Sequence, residues 1–471
     1  MSKKNLLSGR DRELQELAEN YEAACENNQP FYADADDFAD LADWYAVHNK
    51  VQQANEVVEY GLNLHPGNTA LLVEQAYLLM DSHNKDKAQE VIDQISDNYS
   101  PEVKVLKANL MLNEGKIDDA EQLLDTIEDK EDLANIVDVA YMYLDMGYPE
   151  KALEWLNRGL DKYAENEAFT AVTADCFYAQ GLTEKAAIFY NKLIDKDPYS
   201  ASYWLGLARC YFDQQMFDKA IEACDYAIVA DEEFADAYMM RGHAFYQLGN
   251  EESAYENYTL AEKHHALSSD FLHMFMGLSK LVTNQWEEAY SHLEQALEIQ
   301  EEDSPIMPSL YAHTALCLFK LGKKRKASQY FKKAHELGPE EVDPYLLEGR
   351  AFMENGDYEK AVKKWAKALK IAPYADTWNE IGMYSMEMGQ LSYAKLAFER
   401  VKEMEPGFEK INERLASLYV LLRDKENFMK YNQLCKHPLD QEELKKIEKV
   451  LEGEDKDELA KMMKNIISAI Q

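Results

Sequence analysis

The side chains best suited to metal or covalent chemistry are two adjacent histidines and six cysteines. His264 and His265 fall near the end of a predicted helix, where neighbouring side chains point to different sides, so they do not converge on one ion. The cysteines contain no C-x-x-C pair, and four of them fall where a helix buries a small residue. The sequence therefore predicts reduced thiols without a disulfide framework or a zinc site. The cysteines are Cys25, Cys176, Cys210, Cys224, Cys317 and Cys435.

An acidic segment near the N-terminus begins like a calcium-binding loop. Asp34, Asp36 and Asp37 have suitable side chains, but the sixth position is Ala39 instead of glycine and the twelfth is Tyr45 instead of glutamate. Acidic residues at this point also suit the start of a helix, where the helix dipole favours negative charge. We therefore predict a helix start and no metal ion.

Motifs for catalysis are absent from the sequence. There is no G-x-x-x-x-G-K-[ST] phosphate loop, no H-E-x-x-H zinc motif and no G-x-S-x-G nucleophile turn. Pairs of carboxylates are abundant, but among 87 acidic residues such pairs carry no information. The sequence predicts a protein that is not an enzyme and needs no cofactor.

The elements of the chain are set by a repeat of about 34 residues. A small residue followed four positions later by an aromatic or apolar one recurs along the sequence. We number each repeat so that its recurring alanine is position 20. These alanines are Ala54, Ala88, Ala120, Ala152, Ala186, Ala220, Ala254, Ala289, Ala327, Ala361 and Ala394.

Other positions of the repeat predict two helices joined by a tight turn. Position 8 is always Ala or Gly, as expected where two helices approach closely. Position 15 is usually Gly, which accepts the left-handed conformation that ends a helix. Prolines near position 32 stop the second helix. The prolines are Pro66, Pro198, Pro339, Pro373 and Pro406.

This pattern resembles the tetratricopeptide repeat, with its W-x2-L-G-x2-Y…A-x3-F…P framework. The clearest copies are Trp204 to Tyr211 with Ala220, and Tyr345 to Phe352 with Ala361. The resemblance covers residues 35–408. It implies an all-α fold, a right-handed superhelical solenoid of about 11–12 helix-turn-helix repeats with helical caps at both ends.

The charge of −37 is distributed unevenly along the chain. Residues 1–304 contain 22 basic and 60 acidic side chains, whereas residues 305–471 contain 28 and 27. The change coincides with a longer, proline-containing connection at Ser304–Pro308, which indicates either a joint between two blocks or a longer loop in one continuous solenoid. The predicted domains are a capping helix (1–34), an acidic block of about eight repeats (35–304), a near-neutral block of about three (305–408), and a degenerate repeat with C-terminal capping helices (409–471).

Charge and hydropathy exclude several classes of partner. A net charge of −37 disfavours nucleic acid, because binding phosphates requires clustered Lys and Arg. No apolar run reaches the length of a membrane span, and the N-terminus lacks the features of a signal peptide. We therefore expect a cytoplasmic protein that neither inserts into a membrane nor binds nucleic acid.

The family resemblance implies that the first helices line a concave groove that binds a protein or peptide. Position 5 is nearly always apolar, so the groove is expected to accept an apolar helix or extended segment. The alternative is that these side chains pack against neighbouring repeats or a chain terminus. The family's clamp for carboxylate tails is not matched, because Asn109 is preceded by Val105 instead of lysine. The candidate groove residues are Tyr77, Asn109, Tyr141, Tyr178, Arg209, Phe212, His243, Tyr246, Phe319 and Arg350.

A row of lysines suggests a second binding surface. The lysine stripe consists of Lys360, Lys363, Lys364, Lys367 and Lys370, spaced by three and four residues on one predicted helix. Such a stripe is either a solvated outer face or a contact with an acidic partner or with the acidic block of another copy. The leading hypothesis is an interaction scaffold; the alternatives are a self-assembling structural protein and a regulatory subunit of a separately encoded enzyme.

Overall fold

A computed structural model describes residues 8–438, apart from 28, 49, 83, 265–268, 301–303, 409 and 437. The described residues form twenty-six α-helices and no β-strand, which confirms the all-α prediction. The chain divides into two compact units, residues 1–267 (unit 1) and 268–471 (unit 2).

Unit 1 is a series of seven helix pairs preceded by one helix. In each pair the second helix packs against the first, and successive pairs pack on one another. The single helix is α1 (Ser8–Glu26). The pairs are α2 (Ala35–Val47) with α3 (Val51–Leu64), α4 (Thr69–Asp81) with α5 (Lys85–Ile92), α6 (Pro101–Asn113) with α7 (Ile117–Leu124), α8 (Leu133–Asp145) with α9 (Pro149–Leu156) and the short α10 (Leu160–Tyr163), α11 (Glu167–Ala179) with α12 (Thr183–Lys196), α13 (Ala201–Asp213) with α14 (Phe217–Ala230), and α15 (Ala235–Gln247) with α16 (Glu251–Lys263).

Unit 2 contains five further pairs built in the same way. The last pair is the degenerate twelfth repeat that the sequence predicts. The pairs are α17 (Ser269–Val282) with α18 (Trp286–Ile299), α19 (Met307–Lys320) with α20 (Lys324–Leu337), α21 (Asp343–Glu354) with α22 (Tyr358–Ile371), α23 (Ala375–Glu387) with α24 (Leu391–Met404), and α25 (Ile411–Leu421) with α26 (Lys425–Asn432).

Small residues lie where the two helices of a pair cross, as predicted. Ala208 and Ala220, for example, are completely buried in the pair formed by α13 and α14. In α15 the residue that corresponds to Ala208 is Gly242, and a Cβ atom there would lie 2.7 Å from Cε1 of Tyr258. Since the Tyr258 side chain is itself fully buried, the crossing has no room for a larger residue.

The turn between the paired helices requires a left-handed residue. Gly115 and Gly356 adopt φ values of 75° and 80° there. Gln215 (59°) and Arg423 (57°) adopt the same conformation without being glycine, which the sequence does not predict. The geometry of the pair therefore imposes this conformation on residues that adopt it less readily.

The ends of the second helices follow local signals in the sequence. Each of the five prolines near position 32 lies two residues beyond a helix end, as Pro198 does after Lys196. Repeats spaced by 32 residues have second helices of only eight residues, which are α5 and α7.

Helix α1 packs on α2 through a core that includes Leu14, Ala18 and Tyr21, as expected of a cap. The C-terminal capping helices predicted beyond residue 440 lie outside the described residues.

The predicted joint at Ser304–Pro308 falls inside unit 2. Residues of α18, such as Leu293, share one hydrophobic core with Met307 and Leu310 of α19, and Pro308 forms part of the first turn of α19. The compact units instead divide between Leu267 and Ser268. The separation into acidic and near-neutral blocks describes composition and stays a prediction as a division into domains.

We predict that Gly242→Ala lowers the free energy of unfolding by about 2 kcal/mol. Overpacking a buried site costs about 1–3 kcal/mol, and the clash with Tyr258 outweighs the better helix propensity of alanine. Thermal unfolding followed by circular dichroism measures the effect. Gly407→Ala is the control, since a Cβ there meets nothing within 4 Å. Equal midpoints for the two variants would contradict the close crossing.

Candidate protein-binding face

The first helices of unit 1 carry eight of the ten candidate groove residues. Tyr77 lies on α4, Asn109 on α6, Tyr141 on α8 and Tyr178 on α11. Helix α13 carries two more, Arg209 and Phe212, and α15 carries the last two, His243 and Tyr246. The remaining candidates, Phe319 and Arg350, belong to α19 and α21 of unit 2.

A carboxylate of α8 raises the pKa of tyrosines on both α4 and α8. Burial raises the pKa of Tyr77 and of Tyr141 well above 10, and nearby carboxylates raise it further. The Asp145 carboxylate acts on both tyrosines, while Asp138 acts on Tyr77 and Asp175 on Tyr141. Both hydroxyls therefore stay protonated and neutral at physiological pH.

Tyr178 and Asp213 extend this arrangement toward α13. Burial, together with a hydrogen bond to the Asp213 carboxylate, raises the pKa of Tyr178 to about 12. The Asp175 carboxylate is in turn held by the hydroxyl of Tyr190, which donates a hydrogen bond of 2.6 Å to Oδ1. We call this set the tyrosine–carboxylate face. Its residues are Tyr77, Tyr141, Tyr178, Asp138, Asp145, Asp175 and Asp213.

Phe212 and His243 continue the aromatic surface on α13 and α15. Their ring centroids are 6.5 Å apart, and Nδ1 of His243 lies 3.0 Å from the hydroxyl of Tyr258. Burial lowers the pKa of His243 to about 4, so the ring is neutral at pH 7. Arg209 lies closer to solvent, with 42% of its side chain exposed and its guanidinium 3.9 Å from Asp236.

Two of the candidates in unit 1 are buried in the packing of the helices and expose little surface. Asn109 and Tyr141 are only 8% and 6% exposed. The Oδ1 atom of Asn109 accepts a hydrogen bond of 2.9 Å from Asn113 on the same helix. A partner could touch little of either side chain, although Tyr141 still shapes the electrostatics of the face.

Five of the seven apolar residues at position 5 do not form an open groove; the other two, Met239 and Met274, are half-buried. Val73, Val105, Val137, Leu205 and Leu346 are each only 4–5% exposed. Val105 and Val137, for instance, belong to one core cluster shared by several repeats. These side chains therefore pack against neighbouring repeats, which is the alternative that the sequence left open.

Arg350 in unit 2 is occupied by an ion network. Its Nη2 donates a hydrogen bond of 3.0 Å to Glu387, its Nε lies 3.7 Å from Glu354, and its guanidinium lies 4.8 Å from the centre of the Tyr384 ring. Phe319 is half-buried beneath the ammonium group of Lys324. Both residues therefore contact charged groups of unit 2.

Residues with metal or thiol chemistry form no site in the part of the chain described. No group of three His, Cys, Asp or Glu side chains there could hold a metal ion. Burial raises the pKa of Cys210, Cys224 and Cys317 to about 12, so these thiols are poor nucleophiles. His264 stacks on Tyr238, and His265 lies outside the described residues.

Comparison with known families identifies the repeats. Tetratricopeptide repeat families match residues 140–201 and 205–263, and another match covers 342–374. The chain therefore contains tetratricopeptide repeats in these segments. Repeats of this kind generally mediate protein–protein interaction, and proteins built from them are typically non-catalytic scaffolds. None of the described helices is long and apolar enough to cross a membrane.

Curated relatives match only a part of this chain. A Caenorhabditis elegans tetratricopeptide repeat-containing protein, trd-1, is 27% identical over 133 residues, which are 28% of this chain and 17% of the relative. Anaphase-promoting complex subunit 3 of Schizosaccharomyces pombe is 23% identical over 137 residues, 29% of this chain and 21% of the relative. The chain thus covers about a fifth of the length of these relatives.

Solved tetratricopeptide structures are similar at low sequence identity. The anaphase-promoting complex hetero-tetramer Cut9–Hcn1 has a TM-score of 0.41 at 15% identity, covering 82% of this chain and 90% of that one. YrrB, described as a TPR protein with an unusual peptide-binding site, has a TM-score of 0.33 at 21% identity, covering 39% and 92%.

The carboxylates of the face are the residues that sequence reasoning missed. Asp138 occupies position 6 of its repeat, and Asp145 and Asp213 occupy position 13 of theirs. Among 87 acidic residues these three aspartates form no pattern that distinguishes them from the rest. Tyrosine at position 9 with aspartate three or four residues away is the signal that could have identified them.

We predict that the stability of unit 1 depends on pH through His243. The folded ring takes up a proton only near pH 4, whereas the unfolded chain does so near pH 6.5. The unfolded state therefore binds more protons within this window, and stability falls as the pH drops from 6.5 toward 4. Thermal unfolding at pH 7 and pH 5 should show a smaller loss for His243→Gln than for the wild type. Equal losses would mean that His243 is not buried as a neutral ring.

Proposed function

We propose that this protein is a non-catalytic scaffold whose first helices in unit 1 hold a segment of another protein. The observation that carries the proposal is the run of partly exposed aromatic side chains that begins at Tyr178 of the tyrosine–carboxylate face and continues on the next two first helices. Tyr178, Phe212 and Tyr246 are half-buried on three successive first helices, so each is anchored in the fold and still offers surface. Rigid aromatic side chains of this kind supply most of the binding energy in protein interfaces.

The charge of these helices favours a partner segment with basic and apolar side chains. The seven first helices from α2 to α15 contain thirteen acidic and four basic residues. The neutral tyrosines provide ring faces for Lys or Arg, and the neighbouring carboxylates complement their charge. Arg209, one of the four basic residues, lies beside Asp236. An acidic tail would meet repulsion on this face.

A place in a multi-protein assembly is consistent with one of the relatives. The fission-yeast protein is named as a subunit of the anaphase-promoting complex, which supports a role for this chain as a component of a larger complex. Self-assembly through contact between acidic and basic blocks, a regulatory role toward a separate enzyme, and a cytoplasmic location stay predictions.

We predict that replacing Tyr178, Phe212 and Tyr246 together by Ala abolishes capture of the main protein partner. The substitutions remove the aromatic surface while leaving the small residues of the helix crossings in place. Affinity purification of the tagged full chain from its native cells, followed by mass spectrometry, identifies the partner and measures its recovery. Thermal unfolding of the variant verifies that unit 1 is still folded.

The control variant replaces three more exposed tyrosines elsewhere in unit 1. Tyr32, Tyr99 and Tyr199 are 73%, 86% and 72% exposed, so their replacement by Ala should leave partner recovery unchanged. If the triple groove variant retains the partner as well as the control does, the partner binds elsewhere and the proposal is wrong.

A further inference from the structure

Two second helices of unit 2 concentrate positive charge on their exposed sides. Helix α20 contains five Lys or Arg residues and one Glu, and α22, which carries the lysine stripe, contains five Lys and one Glu. Helix α18, the second helix before them, has four Glu and neither Lys nor Arg. The stripe is therefore a local positive surface within a chain whose net charge is −37.

Aromatic rings orient several of these ammonium groups. The Nζ atom of Lys367 lies 4.3 Å from the ring centre of Tyr345 and donates a hydrogen bond of 2.5 Å to its hydroxyl. Lys360 lies 5.4 Å from the ring of Phe352. A neutral ring attracts a cation without cancelling its charge. Binding an anion on this surface therefore requires less ordering of flexible side chains than binding to free lysines.

Lys364 fixes the stripe to the neighbouring helices. Its Nζ lies 2.5 Å from Oε2 of Glu348 on α21, and His335 of α20 lies 2.6 Å from the same oxygen. Lys364 is accordingly 30% exposed, whereas the side chains of Lys360 and Lys363 are 63% and 72% exposed. Lys364 thus has a structural role. The other four lysines of the stripe face solvent, and two of them make exposed ion pairs, Lys360 with Asp357 at 3.7 Å and Lys363 with Glu359 at 2.6 Å. Exposed pairs of this kind are weak, so an acidic ligand can compete for both ammonium groups.

We propose that the lysine stripe, with the adjoining basic side of α20, binds a short acidic segment of another protein. Lys360 to Lys370 spans about 15 Å along the helix, the length of an extended segment of about four or five residues. A segment of about ten residues can also reach the basic side of α20, and it still carries far less total charge than nucleic acid or a membrane.

Larger anions fit this surface less well. The long-range repulsion from a chain of charge −37 grows with the total charge of the partner, so it acts most strongly on nucleic acid, an anionic membrane or a second copy. The stripe and the tyrosine–carboxylate face share no residue, so this proposal stands independently of the proposed function.

The test measures binding of fluorescein-labelled deca-glutamate to the full chain by fluorescence anisotropy at low salt. The stripe variant replaces four exposed lysines by Gln, at Lys360, Lys363, Lys367 and Lys370. The control variant makes the same change in charge on exposed lysines of α12 and α14, at Lys185, Lys192, Lys196 and Lys219. Because each lost exposed ion pair weakens binding only modestly, we expect about tenfold weaker binding for the stripe variant, which loses four, and less than about twofold for the control.

Other outcomes would overturn the proposal. Equal weakening in the two variants would show that deca-glutamate binds no particular surface. A wild-type dimer in light scattering that becomes monomeric in the stripe variant, without any peptide, would assign the stripe to a second copy. Tighter binding to phosphatidylserine vesicles than to deca-glutamate would assign it to a membrane.

A smaller variant keeps the test valid if the fourfold substitution lowers stability. Lys363→Gln with Lys370→Gln leaves the ring contacts of Lys360 and Lys367 intact. This variant should retain the thermal midpoint of the wild type and still bind deca-glutamate about threefold more weakly. Binding equal to that of the wild type would overturn the proposal.

Discussion

The close crossing between the two helices of each pair is the constraint on which the rest of the structure depends. Ala and Gly at the crossing allow the helix axes to approach, and the eleven alanines of position 20 are almost completely buried. Large side chains beside the crossing, such as Tyr45 and Tyr143, then fill the space that the small residues leave. Since each pair also packs on its neighbours within its unit, one enlarged crossing disturbs more than one repeat.

This constraint explains which features the sequence could predict. The small residues and the prolines act locally, so their spacing was sufficient to predict the helix pairs and the ends of the second helices. The left-handed turns at Gln215 and Arg423 could not be predicted from residue type, because the packing of the pair imposes them. Position 15 of the repeat is predictably the place of such a turn. The residue types at Gln215 and Arg423 do not indicate the left-handed conformation.

The candidate face was predicted less completely than the fold. Tyr178, Phe212 and Tyr246 combine anchoring with partial exposure. The valines of position 5 look like a groove surface in sequence, but neighbouring pairs cover them, and only three-dimensional packing decides between the two. Carboxylates such as Asp145 were hidden among 87 acidic residues and became visible only through their proximity to buried tyrosines.

The same fold supports two surfaces of opposite charge. The first helices of unit 1 combine neutral aromatic rings with carboxylates, whereas the second helices α20 and α22 of unit 2 combine rings with lysines. In both places aromatic side chains lie beside charged groups, and these charged groups take no part in packing the helix crossings. A scaffold built in this way can select partners by charge while its core remains that of any repeat of the family.

The most direct test of the central claim is photo-crosslinking from the first helices of unit 1. A p-benzoylphenylalanine at Tyr246 of α15 should crosslink the protein partner in the native cell, whereas the same probe at Tyr226, exposed on α14, should not. The crosslinked partner peptide, sequenced by mass spectrometry, should be rich in basic and apolar residues. Crosslinks from Tyr226 alone, or to an acidic peptide at Tyr246, would contradict the account.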